Sequence, residues 1–73
     1  MLTVRFSESQ GYDIHEDCDV ASFVATTGYG SFWARVIVDS PKHLRTARQR
    51  FRERAIEAMR MGEVPGEIDV QDH

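Results

Sequence analysis

The sequence predicts an α+β fold: a small antiparallel sheet of three to four strands with one long helix packed on one face, in the order β-β-β-α. Three observations carry this. Apolar residues alternate with polar ones from Leu2 to Ser7, a Gly-Tyr-Gly triplet separates two β-rich runs, and a capped segment from Ser40 to Gly62 repeats apolar residues at helical spacing. A chain of 73 residues reads as a single domain, 1–73, with no linker, repeat or low-complexity stretch.

Each element has its own signal. Leu2, Val4 and Phe6 alternate with Thr3, Arg5 and Ser7, the pattern of a half-buried strand, and Ser9-Gln10-Gly11 supplies turn chemistry after it. Tyr12 and Ile14 resume the alternation, and the acidic run from Asp13 to Asp19 reads as a strand end entering a loop. Val20 to Thr27 is β-branched, aromatic or small. Gly28-Tyr29-Gly30 offers the conformational freedom of a tight hairpin, and Ser31 to Asp39 is the return strand. On that strand Phe32, Ala34, Val36 and Val38 share one face, while Trp33, Arg35 and Ile37 share the other.

The helix is the most strongly marked element. Ser40 is its N-cap, Pro41 its first residue, and Gly62 its stop after Met61. Leu44, Ala47, Phe51, Ala55 and Ala58, with Met59 at the margin, form the apolar stripe that covers the sheet. After it, Val64-Pro65-Gly66 predicts a turn and Glu67-Ile68-Asp69-Val70 a short C-terminal edge strand.

Composition removes several functional classes. A domain this small buries only about 60% of its unfolded surface, which argues against a multilayer scaffold enclosing a deep pocket. No apolar run approaches the roughly 20 residues needed to span a bilayer, so no membrane helix is expected. The first six residues lack the basic and apolar segments of a secretory leader, and the single Cys18 makes no internal disulfide. Together these predict a cytoplasmic setting. The three histidines have no serine or cysteine at a nucleophile spacing, and Gly28-Tyr29-Gly30 is neither a P-loop nor a dinucleotide fingerprint. The expectation is a protein that is not an enzyme, without catalytic residues, cofactor or metal site.

What stands out is how charge is distributed. Residues 42 to 60 hold seven basic and two acidic side chains, a net +5, whereas the remainder holds two basic and ten acidic ones, a net −8. The overall −3 is therefore the average of two opposed regions. Within the helix Arg48 with Arg52 and Arg50 with Arg54 are like-charge pairs four residues apart, each costing roughly 0.2–0.5 kcal/mol in an isolated helix. Such a cationic surface suits phosphate or carboxylate groups, or is simply solvated.

Three surfaces are candidates for partner binding. On a helical wheel Ile56 falls about 140° from the apolar stripe, beside Arg45, Arg52 and Arg60, an apolar anchor framed by cations. Trp33, Arg35 and Ile37 occupy the sheet face that one helix cannot cover, unless Tyr12, Ile14 or Phe23 folds over it. Asp13, Glu16, Asp17 and Asp19 form an anionic segment able to occupy arginines and lysines that grip a nucleic-acid backbone. This segment, with His15 and Cys18, has neither the twelve-residue order of a calcium loop nor the ligand set of a zinc site.

A chain of this size with one sheet, one helix from Pro41 to Met61 and an acidic run from Asp13 to Asp19 resembles the small phage-encoded anti-CRISPR proteins, in size, architecture and charge style. The resemblance implies a protein target, a CRISPR effector complex or its nuclease, whose DNA loading or nuclease recruitment the inhibitor blocks. It also implies a host-cell cytoplasmic location. The strand-strand-strand-helix order is similar, too, to double-stranded-RNA-binding domains and to antitoxins of the HicB type, which implies nucleic-acid binding through the Arg-rich helix. Here the lysine cluster of the former is reduced to Lys42 and Arg45. A homodimer is a further expectation, pairing Trp33 and Ile37 with their counterparts or one chain's basic helix with the other's acidic segment.

Overall fold

The alternating segments form three strands, β1 (Arg5–Asp13), β2 (Cys18–Thr27) and β3 (Gly30–Val38), followed by one helix, α1 (Pro41–Arg60). The computed structural model describes residues 4–13 and 18–70, with the backbone alone at 10–13 and 18. The sheet order is β1-β2-β3 and both pairings are antiparallel. Gly28 and Tyr29 form the two-residue connection between β2 and β3, so Thr27 pairs with Gly30 and the register runs from there to Asp19 opposite Val38. The α+β class and the single helix on one face are as the sequence predicts.

Alternation along β3 is complete. Phe32, Ala34, Val36 and Val38 are buried while Ser31, Trp33, Arg35 and Ile37 are exposed. Ala21, Phe23 and Ala25 of β2 join the buried face, and Phe6 of β1 packs half-buried at its margin. Phe23 is therefore committed to the helix side, correcting the expectation that it might close over Trp33. Tyr12 is described only by its backbone, opposite Asp19, and Ile14 lies outside the described residues.

Two further expectations are corrected. Ser9-Gln10-Gly11 is not a turn: these residues pair in unbroken register with Ser22, Ala21 and Val20. A neighbouring strand supplies ladder hydrogen bonds at every second residue, and this outweighs the weak local turn preference of serine and glycine. The C-terminal segment makes no strand. It meets β3 at one parallel bridge between Trp33 and Glu67, where Trp33 N–H donates to Gly66 O (3.0 Å) and Ile68 N–H donates to Trp33 O (2.8 Å). Gly30, at φ 150°, allows this approach, since a Cβ there would lie 2.6 Å from Pro65 Cγ.

Helix α1 follows its signals. Ser40 is extended and its hydroxyl accepts from His43 N–H (3.1 Å), Pro41 opens the first turn, and Gly62 adopts φ 70° just past the Met61 cap. Ala47, Phe51, Ala55, Ala58 and Met59 are buried, with Leu44 partly so. Phe51 is the central contact: its ring stacks on Phe23 at 5.5 Å and meets Phe6 edge-on at 6.4 Å. Truncating it, Phe51→Ala, is expected to cost about 3–5 kcal/mol, enough to abolish the cooperative urea transition of so small a domain. Ser40→Ala should cost only about 1 kcal/mol, read as a lowered urea midpoint with an unchanged slope.

Candidate functional site

The sheet face turned away from α1 follows directly from the strand period. Register places Val20 beside Ile37, Ser22 beside Arg35 and Val24 beside Trp33. Val20 and Val24 are half-buried by their neighbours, whereas Trp33 and Ile37 remain 41% and 46% exposed with Arg35 between them. From β1, Arg5, Ser7 and Ser9 extend the same face opposite Thr26, Val24 and Ser22. The result is an apolar strip with two arginines, Arg5 and Arg35, flanked by small hydroxyl side chains. The main chain of Trp33 is clamped on both sides of its residue by Gly66 and Ile68, so the anchor position is held in place by the tail.

The second surface is the outer flank of α1. Arg45, Gln49, Arg52, Ile56 and Arg60 are all exposed, and Ile56 is 40% so, as the helical wheel predicts. Several helix cations are nevertheless engaged within the chain. Arg48 Nε donates to Glu8 Oε2 at 2.8 Å, and the Arg52 guanidinium lies 5.3 Å from the centre of the Phe6 ring. Arg54 donates to the Asp69 carbonyl, and Arg50 is also partnered. Gln49 donates to Glu53 at 3.3 Å. Glu8 is the residue sequence reasoning passed over. Its signal was present, because it shares the parity of Phe6 and so faces the helix layer where Arg48 arrives.

The anionic segment comes only partly into view. Glu16 and Asp17 lie outside the described residues, Asp13 is described as the last residue of β1, and Asp19 is half-buried opposite Val38 and engaged in an interaction of its own. Among these four residues the structure describes no side chain other than that of Asp19. Nor do the described residues contain a group of three or more histidine, cysteine or acidic side chains able to hold a metal ion.

The remaining polar features have structural roles. At the start of α1, Asp39 Oδ1 lies 3.2 Å from His43 Nδ1, and Asp39 N–H lies 3.4 Å from the same nitrogen. One contact needs a proton on that nitrogen and the other a lone pair, so the two alternate with tautomer. With Ser40 occupied as the cap, the cluster serves the helix terminus. A recess of about 340 Å³ between the C-terminal half of α1 and the tail is lined by Phe32, Arg54, Glu57 and Glu67 among others, and it is open to solvent. Among the described residues no helix is long and apolar enough to cross a membrane.

Comparison with protein-family models, with curated proteins and with solved structures found no match for this chain. The site is therefore read from its own chemistry. Since both partners of the Arg48–Glu8 pair keep over a third of their side-chain surface in water, Arg48→Ala is expected to lower stability by only about 0–1 kcal/mol, a small shift in thermal midpoint that vanishes in high salt.

Proposed function

We propose that this protein is a non-catalytic binding module that grips a protein target through the sheet face opposite α1, and that it inhibits a CRISPR effector complex or its nuclease by covering a functional surface. The observation that carries the binding reading is the exposed pair Trp33 and Ile37 with Arg35 between them, on a face that no described side chain closes. Tryptophan and arginine supply most binding energy where a partner desolvates them, and the flanking serines and threonines provide a polar rim. The choice of a CRISPR target rests on the resemblance in size, architecture and charge style. In that role Trp33 is the anchor and Ile56 belongs to a secondary contact.

The alternative, a nucleic-acid-binding or antitoxin-like domain using α1, is favoured by Arg45 and Arg60, which are exposed and without an ion pair among the described residues. Against it stands the engagement of Arg48, Arg50, Arg52 and Arg54 within the chain, which leaves a short cationic strip for phosphates.

A plaque assay in a CRISPR-active host, with and without the gene, tests the inhibitor reading, and capture of the purified effector complex tests the contact. Trp33→Ala is expected to cost about 2 kcal/mol, roughly 30-fold in affinity, and Ile37→Asp at least as much. Unchanged capture by both variants would falsify the assignment of this face. An electrophoretic shift of generic DNA or RNA at low salt, lost steeply as salt rises, would instead favour the nucleic-acid reading. Light scattering at micromolar concentration separates a monomer of 8.4 kDa from a pair joined through Trp33.

A further inference from the structure

Among the described residues the sheet has a second unfilled place, at the edge of β1. We propose that this edge, together with the arginine-lined flank of α1 above it, forms a groove that takes an extended acidic segment of a partner protein as a fourth strand. The inference concerns a different surface from Trp33 and stands or falls independently of it.

The backbone supplies the first part of the argument. Trp33 directs its N–H and C=O away from β2, toward Gly66 and Ile68. In an antiparallel sheet the residue opposite such a position turns its own groups the other way, so Val24 points to β1 and exchanges hydrogen bonds with Ser7. Alternation then directs the N–H and C=O of Phe6 and Glu8 outward. β1 is nine residues long and, among the described residues, pairs with β2 alone, so this row of donors and acceptors is open to a further strand. The other edge differs, because the tail already bonds to β3 at Trp33.

The position of the helix supplies the second part. α1 lies over β2 and β3, and among the described residues the helix side of β1 is covered by side chains that reach across. Phe6 forms the half-buried floor, and a recess of about 90 Å³ opens there between Glu8, Arg48, Phe51 and Arg52. A strand added beside β1 turns every second side chain toward the flank of α1 that carries Arg45 and Arg52. The acids described beside this flank are engaged, Glu8 with Arg48 and Glu53 with Gln49, so Arg45 and Arg52 dispose the wall to take carboxylates at alternate positions. A second copy of this chain fits poorly. Pairing β1 with its symmetry mate about a two-fold axis sets both helices on one side of the joined sheet, with their arginine flanks facing each other.

The test uses a fluorescein-labelled ten-residue peptide of alternating valine and glutamate, read by anisotropy, with an alternating valine-lysine peptide and a glutamate peptide carrying two central prolines as controls. The expected result is saturable binding of the first peptide alone, weakened by salt and weakened at least tenfold by Arg45→Glu combined with Arg52→Glu. Glu8→Pro, which removes an outward N–H without touching the bonds to β2, should abolish it, and Trp33→Ala should leave it unchanged. If Glu8→Pro does not fold, slowed hydrogen exchange of the Phe6 and Glu8 amides on peptide addition to the unaltered protein decides the same point. No binding, equal binding of the proline peptide, loss through Trp33→Ala, displacement by an oligonucleotide, or a β1-mediated dimer in light scattering would each overturn the proposal.

Discussion

One aromatic ring holds the two layers together. Phe51 stacks on Phe23 of β2 and meets Phe6 of β1, and it can do so because the residues around it are small. Ala47, Ala55 and Ala58 on the helix face Ala21, Ala25 and Ala34 on the sheet, so the two backbones approach closely around a few large side chains, Phe23, Phe32 and Phe51. This arrangement fixes where α1 lies. A helix seated over β2 and β3 buries one face of two strands, half-covers β1 and leaves the far face of the sheet without a second layer among the described residues. Both candidate surfaces are consequences of that single seat.

The same geometry explains what becomes of the helix charge. Seven basic residues on one helix repel each other in isolation, and the fold disperses them by sending their side chains to different neighbours: Arg48 to a carboxylate, Arg52 to an aromatic face, Arg54 to a tail carbonyl. Several arginines thus act as long bridges between α1 and its surroundings, their stems covering apolar surface while their heads remain hydrated. Arg45 and Arg60 around Ile56, without an ion pair among the described residues, form a narrower cationic strip than the count of charges implies.

Much of this was legible in the sequence because period and capping are local properties. The alternation of β3, the helix stripe and the Ser40, Pro41 and Gly62 signals read off directly, and so did the exposed positions of Trp33, Ile37 and Ile56. What escaped was set by tertiary pairing. Gly11 carries a turn signal that β2 overrides, and Phe23 has no local mark telling it which face to take until the register with Ala34 is known. The tail shows alternation enough for a strand, yet Pro65 and the close approach at Gly30 admit it to the sheet at one residue only. For Glu8 the strand parity it shares with Phe6 marked the face, but its partner, forty residues away, was set only by where the helix is seated.

Trp33 has one more property, which follows from its place in the chain and from there being a single tryptophan. Its indole is half in water on the open sheet face, while its peptide groups are bonded to the tail. The molecule therefore contains its own optical probe. A partner that excludes water from the ring moves the emission toward the blue, release of the tail loosens the ring and changes its polarisation, and an event confined to the β1 edge, two strands away, leaves the signal as it was. Fluorescence from an unlabelled sample thus distinguishes which part of this small sheet is being used.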